Sequence, residues 1–356
     1  KRLRGKEDAV STNSDIFLYD ISTGNEINIS EGNKGYDRYP VFSPDGSKIA
    51  YQSMERDGYE SDLDRLFVYD ISGGTRSWVT EGWTYDVSAI NWADENTLFF
   101  SCAHHGTAQV FRTSLTGKEV SKVTEGVHDL SALSFRSGIL VAQQNSMSMA
   151  PEVAKVDVNT GEVRQISFIN RPIYESIKMG RVAEKYIKTK DRKDLQMWII
   201  YPPDFDPSKK YPALLFCEGG PQSALTQFWS YRWNFQIMAA NGYIVFAPNR
   251  RGVAGFGQEW KEQISGDYGG LNMQDYLDAT DAMAKEPYVD ASRLGAVGAS
   301  YGGYSVFYLA GIHEKRFKTF ISHCGIFNFV SEYGSTEEIW FVNKDYDGPC
   351  WENHNS

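Results

Sequence analysis

The run Gly298-Ala299-Ser300-Tyr301-Gly302-Gly303 follows an apolar stretch, RLGAVGA, and leads into the helix-like YSVFYLAGIH. A strand that turns straight into a helix holds the residue at the bend in strained dihedrals, and side chains two positions before and after it would collide. Glycines at 298 and 302 remove both obstacles. The bend leaves the Ser300 hydroxyl clear of a sheet and sets the N–H groups of a helix start beside a developing oxyanion. Ser300 is therefore a candidate nucleophile for acyl transfer. In a chain with 32 glycines the G-x-S-x-G spacing is weak alone, and its placement between strand and helix is what lifts it above a structural serine turn. Upstream, the apolar run 212–217 ends in Glu218-Gly219-Gly220-Pro221, a Gly-Gly loop that offers a bare backbone N–H to the same oxyanion as the Tyr301 N–H. An ordinary strand-exit turn is the alternative. Arg250 and Arg251, just after another strand end, are candidates to hold a substrate carbonyl, although surface ion pairs would account for at least one of them.

These residues need a rigid frame, and the second half supplies one. The runs 197–200, 212–218, 243–248, 293–299 and 317–322 are apolar and separated by helix-length segments, which predicts a parallel sheet covered on both faces. Residues 272–286 keep a helical period through Met273, Tyr276, Leu277, Thr280 and Met283, and Pro287 ends it. The first half has a different grammar. FLYDISTGNEINISEG (17–32), FVYDISGGTRSWVTEG (67–82) and FRTSLTGKEVSKVTEG (111–126) share a strand, a glycine turn, a second strand and a closing Glu-Gly. Turn glycines at 24, 74, 117 and 161 are spaced by 50, 43 and 44 residues, the spacing of propeller blades. A small open β-sandwich is the alternative. The expected fold is an incomplete β-propeller of three to four blades over 1–172, followed by an α/β-hydrolase domain over 173–356 that is incomplete at its C-terminus. His104 and His105 are expected in a solvated turn.

Lys+Arg number 36 against 46 Asp+Glu, a net charge of −10 that argues against a nucleic-acid partner. No run approaches the ~18 apolar residues of a membrane span, the nearest, 317–330, being broken by Lys318, His323 and Asn328. KRLRGKEDAV is followed by no apolar stretch, so no signal peptide is visible. Cys102, Cys217, Cys324 and Cys350 form no C-x-x-C pair, which argues against zinc and against a disulfide framework. No metal and no cofactor are expected.

With the elbow, Gly219-Gly220-Pro221, Asn249-Arg250-Arg251-Gly252 leading to Gly255-Phe256-Gly257, and Gly266-Asp267-Tyr268-Gly269-Gly270 with Asp275 and Asp278, the second half resembles the catalytic domain of the prolyl oligopeptidase family of serine peptidases. A propeller in front matches that family's architecture, and EGGPQS and NRRG are most similar to its bacterial dipeptidyl peptidase V branch, with acylaminoacyl peptidases as near relatives. The resemblance implies that the Gly220 and Tyr301 N–H groups form the oxyanion site and that dipeptides are released from the N-terminus of short peptides. Glu218 departs from the His that many relatives carry before Gly-Gly-Pro. Glu60, Asp62 and Asp64 are candidates to hold the substrate's ammonium, with a solvated acidic loop as the alternative. An acid and a base should follow the serine in the order Asp, His. Only Asp345 or Asp347 with His354 has that order, too early for the family's later strands, so the chain is expected to be a fragment lacking the triad Asp and His. His313 and His323 are read as structural. The resemblance further implies a periplasmic or secreted peptidase, cytoplasmic in the acylaminoacyl branch, and is compatible with a homodimer. An esterase or acylaminoacyl peptidase and a non-enzymatic propeller binding protein are the competing functions.

Overall fold

The repeated glycine turns close antiparallel hairpins in the computed structural model, which describes residues 5–346, 348–349 and 351–352. Gly24, Gly74 and Gly161 take φ of 74°, 61° and 78° between paired strands, a left-handed backbone that costs glycine nothing. In the third hairpin the left-handed position has moved one residue on, to Lys118 at φ 53°. Strands Asp37–Phe42, Lys48–Ser53, Arg65–Asp70 and Thr75–Trp78 pair in chain order into a four-stranded antiparallel blade. Two more such units follow over 88–122 and 129–165, and the Asp129–Ala108 pair joins them into one eight-stranded sheet. Among the described residues, the short helix Lys6–Val10 and the strand pair Phe17–Tyr19 and Glu26–Asn28 precede the first. Each blade hides its face against the next: Ala50, Leu66 and Val68 pack with Trp92, Leu98 and Phe100 of the following unit. Successive blades, not two facing sheets, make the first half.

The second half is a six-stranded sheet of β1 (Val182–Lys188), β2 (Asp194–Ile200), β3 (Tyr211–Cys217), β4 (Ile244–Pro248), β5 (Val289–Ala299) and β6 (Thr319–His323), in the order β1-β2-β4-β3-β5-β6. The expected all-parallel sheet is corrected here. β1 and β2 pair antiparallel with each other and β2 pairs antiparallel with β4, so only β4, β3, β5 and β6 run parallel. The helices are α1 (Phe235–Ala240), α2 (Gln258–Glu262), α3 (Leu271–Ala284), α4 (Tyr301–Ile312), α5 (Phe329–Ser335) and α6 (Ile339–Asp345). The inner strands β2, β3 and β4 are apolar on both faces because both are covered, whereas the edge strands β1 and β6 alternate with exposed residues. Met197 and Ile199 join the core with Met273 and Tyr276 of α3, whereas Trp198 and Ile200 face Phe235 and Ala239 of α1.

Buried polar contacts fasten the two halves. The Trp198 indole N–H is shared between the Gly106 carbonyl of the propeller, at 3.2 Å, and the Leu225 carbonyl of the hydrolase, at 3.1 Å. Asp129 accepts from Thr226 Oγ1 (2.6 Å), Gln227 N (3.0 Å) and Ala108 N (2.8 Å). Lys261 on α2 donates to the Asp62 carbonyl at 2.7 Å and to Asp86 at 2.8 Å. His105 is exposed in the turn as expected, whereas His104 is half-buried at the end of its strand. The His105 N–H donates to the Gly255 carbonyl at 2.8 Å, and half-burial pulls the His104 imidazole down to about 4. The acidic stretch is likewise no free loop: Asp62 is buried and accepts from Arg56, and Asp64 pairs with Arg38 at 2.7 Å.

Burial raises the Asp129 carboxyl from 3.8 to about 6 against the pull of its hydrogen bonds. The folded protein therefore binds this proton more tightly than the unfolded chain does. The resulting stabilisation is fully present below about pH 4 and is lost as the pH rises through about 6. Urea unfolding midpoints of the wild type and Asp129→Asn, compared across that range, should show the wild type losing ground to the variant as pH rises; a constant difference would contradict it.

Candidate active site

The strand β5 ends at Ala299 and α4 begins at Tyr301, leaving Ser300 alone at the bend with φ 57° and ψ −124°. Such a backbone costs a residue other than glycine about 1–3 kcal/mol. It is held by the Ser300 N–H donating to the His323 carbonyl at 2.9 Å and by the Tyr304 N–H donating to the Ser300 carbonyl at 3.0 Å. The side chain is exposed, and no described residue hydrogen-bonds to its Oγ. The glycines two positions away are required by contact. A Cβ on Gly298 would lie 2.4 Å from the Gly302 carbonyl oxygen, and one on Gly302 2.1 Å from that of Cys217.

Ser300 opens onto a cleft of about 300 Å³ shared with Gly219 and Gly220. Gly220 stands at φ 42°, and its carbonyl accepts from the Ser223 N–H at 2.7 Å, so the loop after β3 turns back on itself beside the serine. Tyr301 is the first residue of α4, so its N–H has no acceptor within the helix. Both expected oxyanion positions thus flank Ser300. Glu218 lines the cleft as well, its carboxyl pushed up to about 7 by burial and partly held down by the Arg250 charge.

Arg250 and Arg251 are not where a substrate could meet them. Arg250 is fully buried: its Nη1 donates to the carbonyls of Pro221 and Arg251, each at 2.8 Å, and its Nε to the Tyr276 hydroxyl at 3.2 Å. Its guanidinium lies 4.7 Å from the centre of the Tyr301 ring. Arg251, also buried, forks between Asp275 (2.8 Å) on α3 and Asp191 (2.7 Å) in the β1–β2 turn. A role in holding substrate is corrected to a structural one for both, because both guanidinium groups are buried and donate to protein acceptors, although Nη2 of Arg250 has no partner among the described residues.

His323, read from the sequence as structural, lines the cleft with Ser300, together with Arg232, Trp233, Phe216 and Phe228, which sequence reasoning did not single out. His323 is exposed, its ring set 5.6 Å from the Trp233 ring and its Nδ1 3.4 Å from Arg232 Nη2. One signal existed: β6 pairs parallel with β5, and neighbouring parallel strands bring their C-terminal ends together. His313 is structural as expected in its contacts, its Nδ1 accepting the Phe317 N–H at 3.2 Å. Asp345 does not line this cleft and is hydrogen-bonded to Ser265 at 2.8 Å. Asp347, Cys350 and His354 lie outside the described residues. Among the described residues no cluster of His, Cys, Asp and Glu could hold a metal ion.

Residues 229–356 match the prolyl oligopeptidase family, and residues 8–172 the TolB beta propeller domain. The chain is 48% identical over 356 residues to a dipeptidyl-peptidase 5 of Porphyromonas gingivalis, covering 100% of this chain and 52% of the relative. A dipeptidyl-peptidase 5 of Porphyromonas endodontalis is 46% identical over 357 residues, with the same coverage of 100% and 52%. The chain thus spans about half the length of these curated relatives. Among solved structures, an acylaminoacyl peptidase bound to Z-Gly-Gly-Phe-chloromethyl ketone superposes with a TM-score of 0.83 at 25% identity over 96% of this chain and 52% of its own.

Three substitutions test the frame. Gly302→Ala should lower the unfolding free energy by about 2 kcal/mol or more, because its methyl meets backbone. Gly311→Ala in the same helix, where nothing lies within 4 Å, should be neutral or slightly stabilising. Equal effects in urea titrations would contradict the contact argument. Arg250→Lys keeps the charge but not the fork, and should cost about 2–4 kcal/mol by the same measurement; an unchanged midpoint would show that the buried fork is dispensable.

Proposed function

The chain belongs to the prolyl oligopeptidase family, and from that premise we propose that Ser300 is the nucleophile of a serine peptidase that removes dipeptides from the free N-terminus of short peptides. The observation that carries the proposal is the exposed, strained serine at a strand-to-helix bend, with the Gly219-Gly220 loop beside it in one cleft. Ser300 Oγ attacks the scissile carbonyl while its proton passes to a general base. The carbonyl oxygen, now negative, is held by the N–H groups of Gly220 and Tyr301, and the amine leaves. Water then attacks the acyl-enzyme and releases the acid. The two N–H donors matter because a fixed pair of dipoles stabilises charge that forms only in the transition state; loss of one such donor costs about 10²–10³ in rate.

Dipeptide release is favoured by the relatives named dipeptidyl-peptidase 5 at 48% and 46% identity. A second reading, removal of N-acylated residues, is favoured by the superposition on the acylaminoacyl peptidase. Full-length protein should be labelled at Ser300 by a fluorophosphonate probe, with the adduct lost in Ser300→Ala. It should also turn over a dipeptidyl reporter with a free amine at least about tenfold faster than its N-acylated form, since an ammonium held by a charged partner is worth about 1.5–3 kcal/mol. Absence of an adduct would sink the nucleophile, and preference for the blocked reporter would move the assignment to the acylaminoacyl branch.

A further inference from the structure

Ser300 is flanked by opposite charges. In the sheet order β3-β5-β6, Cys217 at the end of β3 stands opposite Gly298, and His323 at the end of β6 stands opposite Ala299. The serine just beyond β5 therefore has Glu218 on one side and His323 on the other. Arg232, in the segment leading to α1, lies on the His323 side and lines the same cleft. It is exposed, and two neighbours steer its guanidinium: Nη2 is 3.4 Å from His323 Nδ1, and the guanidinium centre lies 5.9 Å from the centre of the Trp233 ring. A guanidinium can only donate, so the imidazole nitrogen accepts. Neither neighbour is an anion. Among the described residues no carboxylate pairs with Arg232, and the cation that acts on Glu218 is the buried Arg250 instead.

The oxyanion donors fix how a substrate lies here. With its carbonyl oxygen turned toward Gly220, on the β3 side, the trigonal carbon sends its other two substituents, the acyl chain and the leaving amine, away from that side. One of the two comes toward Arg232, and charge decides which. The acyl chain of a short peptide carries the N-terminal ammonium, which the guanidinium repels. The leaving residue of a tripeptide carries the C-terminal carboxylate, which a guanidinium takes with two parallel N–H donors. The reach agrees: neighbouring strands stand about 4.8 Å apart and one residue spans about 3.8 Å, so a carboxylate one residue beyond the scissile bond is the one in range. We propose, on the premise of dipeptide release at Ser300, that Arg232 binds the C-terminal carboxylate of the leaving residue, making tripeptides with a free C-terminus the preferred substrates.

Full-length protein tests this with trialanine and tetraalanine, each as the free acid and as the C-terminal amide, by following release of the N-terminal dipeptide. The acid-to-amide ratio of kcat/KM should be about ten or more for trialanine, because the amide loses a charge-assisted hydrogen bond. It should be near one for tetraalanine, whose carboxylate lies a residue further on. In Arg232→Gln the trialanine ratio should fall to near one through KM, since the contact is made to substrate and transition state alike. Arg232→Lys keeps the charge but not the fork and should retain only part of the ratio, and it decides if Arg232→Gln does not fold. A wild-type ratio near one, an equal ratio for tetraalanine, or an undiminished ratio in the folded variants would overturn the Arg232 assignment while dipeptide release stood. No dipeptide from any of the four peptides would remove dipeptide release itself, and the assignment with it.

Discussion

The candidate site depends on one buried cation. The Arg250 guanidinium takes the Pro221 carbonyl of the loop after β3, the Tyr276 hydroxyl of α3 and the face of the Tyr301 ring at the elbow. Two of those three elements carry the proposed nucleophile and oxyanion donors, since the loop brings Gly220 and the elbow brings Ser300 and the Tyr301 N–H. A charge stripped of water must find partners, and among the described residues Nε and Nη1 of Arg250 have them while Nη2 has none, so the geometry around the first two resists small displacements. Arg251 extends the same logic outward, tying Asp275 of α3 to Asp191 at the β1–β2 turn. Two adjacent arginines thus act as internal struts, one for the site and one for the sheet edge.

The strained serine is the complement of this rigidity. A backbone at φ 57° and ψ −124° would relax if its neighbours allowed it. They do not: Gly298, Gly302 and the Cys217 carbonyl are packed so closely that even a methyl group has no room, and Gly303 lies against Gly325 in the same way. The sheet therefore stores the strain, and the glycines are the residues through which it is stored. The cost is borne by the mixed sheet and its two covered faces, where Trp198, Phe246 and Tyr276 are fully buried.

Much of this was legible in the residues. The glycine period located the outer hairpin of every blade, because a left-handed turn is the one feature that each repeat must preserve even when its strands drift. The elbow was legible because steric collision admits only glycine at two fixed offsets. Long-range partnership was not legible. Nothing adjacent to Arg250 in sequence says that it will be buried, since Pro221 and Tyr276 are 29 and 26 residues away. The acidic stretch around Asp62 read as solvated for the same reason: Arg38, which pairs with Asp64, stands 26 residues earlier, and Lys261, which donates to the Asp62 backbone carbonyl, 199 residues further on. The antiparallel direction of β2 also escaped, because an apolar strand buried on both faces has the same pattern in either direction.

The single indole proton of Trp198, split between a propeller carbonyl and a carbonyl of the loop leading from Gly220 toward α1, has a mechanical corollary. Any swing that drew the Gly106 carbonyl away would hand the whole donor to Leu225 and tighten that loop, while closing the gap would share it out again. The two halves are therefore linked as a see-saw rather than as a latch, with tension on one side felt as grip on the other.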